Sequence, residues 1–420
     1  MILTHFGAGR QTDSYFAALA VPVVVLYVLS DPLNRVALPS LSVHTGEEFW
    51  EHAWTTIEIT VFIFLGVAGL LYLTAPRWVS LLVPGFSADA ASKTVELTRL
   101  LLAGMVLQSG SMAARSVWNA RGYFVWPTTA GLLSAIAALA LLLVTVRTHG
   151  IESAAWAFNL RFATECLLLT GTLGTFRRPH WRLAVPFLRK SRPLMLGAAY
   201  FRTDVIVDRV LTSLAPPGGL SLLYLAQQLL SAIGQVLNQS VVAPTIPLLA
   251  KIAHAGDWPA FGRTARISTR NLLGISLLIL FALVAFGGPA LSLVFAHRSL
   301  NSSDINRLLL LMLALGGMLA ADSLGYFAYS SFYAIGDTST PTIATAFVYS
   351  IGVAIKIGAF LLTGVVGLAL GISLYYVANA LILLYLLRRR LLSLRRAMPE
   401  STQPVTPEGP FASSTTVETF

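Results

Sequence analysis

Charge is what this chain has least of. Only 11% of its 420 residues are Asp, Glu, Lys or Arg, while 55% are hydrophobic. A soluble domain carries about a quarter charged residues. The shortfall, with a mean hydropathy of +0.72, excludes an ordinary water-soluble fold and points to an integral membrane protein. Cysteine is nearly absent: Cys166 stands alone, so no intrachain disulfide can form. The seven histidines (His5, His44, His52, His149, His180, His254, His297) fall mostly in polar connections and lack metal-ligand spacing. There is no Gly-rich phosphate loop, no nucleophile elbow and no catalytic constellation. The expectation is therefore a protein that is not an enzyme and needs neither metal nor cofactor. The opening MILTHFGAGRQTD has no basic start followed by an apolar core, so it does not read as a secretory leader.

What the chain does have is a series of apolar runs of roughly 20 residues, the length of a membrane-crossing helix and too long for barrel strands. They predict an all-α integral membrane protein of about eleven transmembrane helices. The spans lie near 14–32, 55–75, 97–118, 124–146, 152–174, 193–214, 219–250, 271–296, 306–334, 339–362 and 366–388. The run 219–250 exceeds one crossing and is expected to tilt or break near Pro244 and Pro247. After Arg396 comes PESTQPVTPEGPFASSTTVETF, polar and Pro-rich, which reads as a disordered tail.

The net charge of +10 is explained by position and needs no nucleic-acid partner. One set of connections holds Arg115 and Arg121, then Arg177, Arg178, Arg182, Arg189, Lys190 and Arg192, then Lys251, Arg263, Arg266 and Arg270. The C-terminal Arg388, Arg389, Arg390, Arg395 and Arg396 fall on the same side. The other set has only scattered cations such as Arg77, Lys93, Arg147 and Arg298. The positive-inside rule makes the first set, and with it the C-terminus, cytoplasmic. The segment FRRPHWRLAVPFLRKSR (176–192) would also suit an anionic leaflet, although topology signalling alone accounts for it.

The sequence also repeats itself. ARGYFVWPT (120–128) and AIGDTSTPT (334–342) share Ala, Gly, Pro and Thr at one constant offset, and the same offset lays HGIESAAWA (149–157) over TGVVGLALG (363–371). TRLLLAGMVLQSGSMAA (98–114) resembles NRLLLLMLALGGMLAA (306–321), and the stretch from Asp13 resembles that from Leu222. Two similar halves in the same order predict an internally duplicated transporter with parallel lobes around a central cavity. The expected division is an N-terminal lobe at 1–175, a basic linker at 176–192, a C-terminal lobe at 193–390 and a tail at 391–420. Pro127 and Pro341 should start helices after matching tight turns. The second half has six helices and the first has five, so the repeat places a missing helix before Asp13. A start assigned too late and a genuine truncation both fit.

FGAGRQTDSYFAAL (6–19) resembles the segment around the second helix of the MurJ/MviN lipid II flippases, within the multidrug/oligosaccharidyl-lipid/polysaccharide flippase superfamily. So do VPGF (83–86), NARGYFVWP (119–127), VDRVLTSLAPPGGLSLLYLAQQL (207–229), IGDTSTPT (335–342) and the closing GLALGISLYYVANALILLYLLRRR. The resemblance implies carriage of an undecaprenyl-linked peptidoglycan precursor across the bacterial cytoplasmic membrane. It implies alternating access between two lobes around a cationic cavity. Departures go with it. The family's acidic cavity residue near the start of the second helix is matched by Asp13, but its later arginine falls on Leu26. The Asp-Arg pair of its eighth helix falls on Gln227 and Gln228. The arginines of its first helix have no counterpart, and the helices after its twelfth are not in this chain.

One span carries ionisable groups that hydrocarbon disfavours: YFRTDVIVDRVLTSLA (200–215), with Arg202, Asp204, Asp208 and Arg209. Arg202 and Arg209 are seven apart and share a helix face; Asp204 and Asp208, four apart, share another stripe. A carrier of a lipid-linked sugar needs a wet cavity, cations for the pyrophosphate and neutral polar groups for the sugar. Arginine grips phosphate in a bidentate fork, and Gln227, Gln228, Gln235, Asn238, Gln239 and Ser240 supply amides and a hydroxyl on one span. The substrate-cavity set is thus Asp13, Arg202, Asp204, Asp208, Arg209, Gln227 and Gln228, with Glu58 and Lys356 as candidates for gating or ion coupling. The plainer readings are snorkelling of Asp208 and Arg209, pairing of Asp204 with Arg209 or Arg10, and an interhelical hydrogen-bond seam for the glutamines. Arg161 and Glu165, four apart, suit a structural pair. The functions weighed are flipping of a lipid II-like precursor, flipping of another lipid-linked polysaccharide unit, a drug/cation antiporter of the same superfamily, which the flippase motifs disfavour, and a degenerate relative that transports nothing. The partners implied are the undecaprenyl-linked saccharide and the surrounding membrane lipids.

Overall fold

The computed structural model describes residues 2–174, 176, 184–295 and 300–396, and the described residues are almost wholly helical. A short helix, Ile2–Phe6, precedes the spans. In chain order the spans are α1 (Arg10–Ser42), α2 (Gly46–Leu82), α3 (Ala88–Ala120), α4 (Val125–His149), α5 (Glu152–Gly171) and α6 (Ala184–Ser213). They continue with α7 (Gly219–His254), α8 (Trp258–Phe295) and α9 (Ser302–Ala334). The last helix, Ser339–Arg396, is divided by non-helical backbone at Thr363 and Gly364 into α10 (339–362) and α11 (365–396). Each of the eleven spans expected from the sequence falls on one of these helices, four of them running one to three residues past a helix end (124, 172–174, 214 and 296, the last outside the described residues). The tail after Arg396, three of the six linker cations (Arg177, Arg178, Arg182) and Arg298 lie outside the described residues.

Among the described residues, eight helices are long and apolar enough to cross a membrane, with α10 and α11 counted as one. The two that fall short are α5 and α6. The first carries Glu152, Arg161 and Glu165, and the second carries seven ionisable residues between Arg189 and Arg209. Their polarity is absorbed by neighbours: Glu165, nearly buried, is paired with Arg115 of α3. Its partner comes from the adjacent helix and not, as the spacing implied, from Arg161, which lies over the ring of Phe162.

Two groups of helices each bury their own core. Phe64, Leu101, Leu102 and Met105 sit at the centre of the first, from α1 to α5, and Leu223, Leu308, Phe327 and Leu368 at the centre of the second, from α7 to α11. Lipid tails are as apolar as leucine, so close packing holds such helices together and small residues permit it. Gly104 of α3 is an instance: a Cβ there would stand 2.5 Å from the ring of Phe158 on α5. The connecting helix α6 serves both groups. Phe187, Leu188 and Met195 pack into the first core, whereas Val207 and Leu211 pack into the second.

The internal repeat is visible in the backbone. The turns before α4 and α10 both place glycine in the left-handed region, Gly122 and Gly336 each at φ 78°. The turns that follow those helices match as closely: Gly150 has φ 57° and ψ −142°, Gly364 φ 65° and ψ −140°. Pro127 and Pro341 each fall in the first turn of their helix, where a missing N–H costs nothing. The long span α7 breaks where its prolines required. Residues Asn238–Val242 form a π-helical turn just before Pro244, whose ring and missing N–H disrupt the regular ladder.

Candidate functional site: a charged cavity between the two helix groups

A cavity of ≈ 290 Å³ opens between α1, α6 and α7, with Met318 of α9 and Tyr376 of α11 at its back. From α1 it takes Phe16, Ala20, Val23 and Tyr27, a stripe at helical spacing. From α7 it takes Tyr224, Gln227, Gln228, Ser231 and Gln235. Leu222, Leu223, Ala226 and Leu230 turn the opposite side of the same helix into the core. The glutamines therefore line a cavity, not a seam. Asn238, Gln239 and Ser240 lie beyond it in the π-helical turn.

Arg202, Asp204, Asp208 and Arg209 of α6 all line this cavity, but they are not equivalent. The ammonium of Lys356, 3% exposed, reaches across from α10 to Asp208 Oδ1 at 3.1 Å and to Asp204 Oδ2 at 4.0 Å. Buried carboxylates need such a partner to remain charged. Lys356, expected as an isolated charge, is the counter-ion of this pair, and it supersedes both pairings considered for Asp204. The arginines are held by rings. Arg202 lies over Tyr27 of α1 with its guanidinium carbon 3.9 Å from the ring centroid, and Arg209 over Tyr224 of α7 at 5.0 Å. Arg209 does not snorkel. It is 4% exposed, and its Nε and Nη1 are buried with no hydrogen-bond partner among the described residues. Lys356 offsets one of the two carboxylates, and the two guanidinium groups carry the remaining positive charge of the wall. They are separated by seven residues, about 10 Å along the helix axis. Chemically the cavity offers two fixed cations, one with unsatisfied donors, between rows of neutral amides.

Two expected members lie elsewhere. Asp13 is at one end of the bundle, 4% exposed, with both carboxylate oxygens engaged. Gly218 N–H donates to Oδ2 at 2.7 Å and Ser221 N–H to Oδ1 at 2.8 Å. The start of a helix leaves N–H groups unpaired at the positive end of its dipole. A carboxylate from α1 caps α7 here, so Asp13 ties the two helix groups together and is absent from the charged cavity's wall. It borders a separate ≈ 360 Å³ hollow with Arg10, Gly85 and Ser213. That end is tightly closed, since a Cβ on Gly85 would stand 2.2 Å from the Ser213 carbonyl oxygen. Glu58 is half-buried on α2 and also lies off the cavity wall.

The tyrosines of the cavity were not among the residues expected from the sequence. Tyr27 stands eleven residues after Phe16, three turns along the same face, and that spacing was the available signal. Asp322 of α9 was also missed; its Oδ2 lies 3.5 Å from where a Cβ on Gly234 of α7 would stand, one residue before Gln235 of the cavity.

The comparisons with known proteins agree with this architecture. The family described as lipid II flippase MurJ matches residues 2–401. A probable lipid II flippase MurJ from Synechocystis sp. is 23% identical over 94% of this chain and 78% of its own length. One from Thermotoga maritima is 22% identical over 89% of this chain and 78% of its own. Among solved structures, the lipid II flippase MurJ in an inward closed conformation superposes with a TM-score of 0.81, at 20% identity, over 94% of this chain and 86% of that one. An inward-facing multidrug resistance transporter of the MATE family gives 0.78 at 16% identity, over 93% and 95%. The structural matches carry the fold; the family match, spanning nearly the whole chain, carries the assignment: the chain belongs to the MurJ lipid II flippase family.

Proposed function

We propose that this chain flips a lipid II-like, undecaprenyl-pyrophosphate-linked cell-wall precursor across the bacterial cytoplasmic membrane. The two helix groups, 1–175 and 193–390, act as lobes that alternate access to the charged cavity. The C-terminus and the arginine-rich connections face the cytoplasm. The observation that carries this reading is Arg209: a buried guanidinium on the cavity wall with two donor nitrogens unpaired. Leaving a buried polar atom unsatisfied costs about 1–3 kcal/mol, more when it is charged. A phosphate oxygen arriving in the cavity would return that cost as binding. Arg202, on the same wall, suits a second phosphate oxygen or the first acidic group of the head. Gln227 and Gln228 suit sugar hydroxyls and amides. Lys356, locked to Asp204 and Asp208, is suited to gating, because any movement of α10 against α6 must break or transfer that pair.

A second reading, flipping of a different lipid-linked polysaccharide unit, is favoured by one observation. Gln227 and Gln228 stand on the cavity wall where the resembled family has an Asp-Arg pair, so this wall holds neutral amides. Complementation separates the two. The chain is expressed in bacteria depleted of their own lipid II flippase, and growth is scored at matched membrane levels of protein. Rescue that is lost in Arg209→Gln supports lipid II as substrate. Correct insertion without rescue removes lipid II and leaves the other saccharide carriers.

A further inference from the structure

A second hollow adjoins the charged cavity. This crevice, ≈ 610 Å³, lies between α1, α4, α7 and α8 beside the short N-terminal helix. Its volume falls within the ~300–1,000 Å³ typical of small-molecule sites. Leu142, Leu225, Leu229, Val294 and Phe295 make its walls almost wholly apolar, and Val294 is exposed at its rim. Phe16 lines both this crevice and the charged cavity. Its ring stacks on Tyr224 with centroids 4.5 Å apart, and Tyr224 in turn has Arg209 over it. Helix α7 serves the two hollows with adjacent faces: Tyr224 and Gln228 border the cavity, and Leu225 and Leu229, each the next residue, border the crevice.

A buried unpaired cation and an apolar slot thus meet across a single pair of stacked rings. The ligand chemistry that satisfies both is an anion joined directly to a hydrocarbon chain. The crevice that adjoins the anion site is suited to the hydrocarbon chain of an anionic amphiphile. We propose that the crevice seats the isoprenoid chain of the substrate. The pyrophosphate then lies at the Phe16–Tyr224 stack against Arg209, and the molecule straddles α7. The proposal rests on the function proposed above, and names the tail-binding residues of that same site.

The test uses the full chain in nanodiscs and two probes, undecaprenyl pyrophosphate and inorganic pyrophosphate. Leu229→Trp, which fills the crevice, is expected to weaken undecaprenyl pyrophosphate at least tenfold and leave inorganic pyrophosphate unchanged; Arg209→Gln is expected to weaken both. Independently of any variant folding, geranylgeranyl pyrophosphate with a diazirine at the chain end should label the wild-type chain at 225–229 or 294–295. Unlabelled undecaprenyl pyrophosphate should compete, and excess phosphatidylglycerol should not. Label confined to other helices overturns the tail assignment, as does full competition by phosphatidylglycerol. Arg209-dependent pyrophosphate binding would then leave the transport reading standing. A wild-type chain that binds neither probe overturns both.

Discussion

Asp13 and Arg209 are both buried charges at the junction of the two helix groups, and they are solved in opposite ways. Asp13 has a backbone N–H on each carboxylate oxygen, whereas Arg209 has a tyrosine ring beside it and two nitrogens with nothing to donate to. The first arrangement is complete without any ligand and therefore stabilises the resting structure. The second is incomplete, and its incompleteness is the strongest pointer to what the cavity receives. Lys356 with Asp204 and Asp208 stands between them, internally paired yet on the border of the cavity. Burial of charge does not distinguish function from framework in this protein; satisfaction does.

The sharpest way to break that contrast is Lys356→Met. Removing one partner of a buried ion pair typically costs about 3–5 kcal/mol, because the other charge remains. Here two carboxylates would be stranded, so a large fall in the thermal midpoint in detergent is expected. Adding Asp208→Asn should restore much of it. If Lys356→Met alone melts like the wild type, the pair is not the framework described. Arg209→Gln comes next. Loss of a buried contact to a ligand anion is worth about 2–5 kcal/mol, so pyrophosphate binding should fall by well over tenfold. Stability should hold or rise, because the guanidinium donates nothing through Nε and Nη1. A variant that binds normally but melts early would reverse the assignment.

Asp13→Ala should do the converse. Loss of a helix cap costs about 0.5–2 kcal/mol, read as a lowered melting midpoint, with pyrophosphate affinity preserved in the folded fraction. The smallest effect belongs to Asp337, in the turn before α10. The Thr340 N–H donates to its carboxylate at 3.0 Å and the Thr340 hydroxyl at 2.8 Å. These bonds, the backbone one foremost, hold its carboxyl below the usual carboxylate range. A depressed folded pKa means the cap contributes fully above the ordinary Asp value of about 3.9. That contribution is lost as pH falls through the lower folded value. Melting curves from pH 6 to 3 should show a slight extra acid sensitivity that Asp337→Asn removes.

How much of this was legible beforehand depends on the range of the interaction. Spans were readable because run length answers to bilayer thickness, and the duplicated turns because Gly122 and Gly336 are required by local backbone geometry. Even the charged α6 was recognised as a helix, although its seven ionisable residues between Arg189 and Arg209 leave it short of an apolar span. Partnerships were not readable. Glu165 takes Arg115 from another helix, Lys356 arrives at Asp208 from 148 residues away, and Asp13 meets Gly218 across the junction. Sequence spacing offers Glu165 a near neighbour in Arg161 and offers Lys356 none, and tertiary packing gives both a distant partner. The place of Lys356 was illegible for the same reason: its pairing with Asp204 and Asp208 is a fact of packing, not of composition.

Helix α6 has one end embedded in each group, with Pro193 between Leu188 and Met195 on the part that packs into the first. Mechanically it is an axle fixed at both ends to bodies that must turn against each other. Rotation of one group relative to the other has to be absorbed as twist or bend along that rod. Proline, which breaks one rung of the ladder, is where a rod yields first. The ionic cluster at 204–209 lies on the segment clamped to the second group, so torque applied at the first group's end would be delivered to the charges that face the substrate.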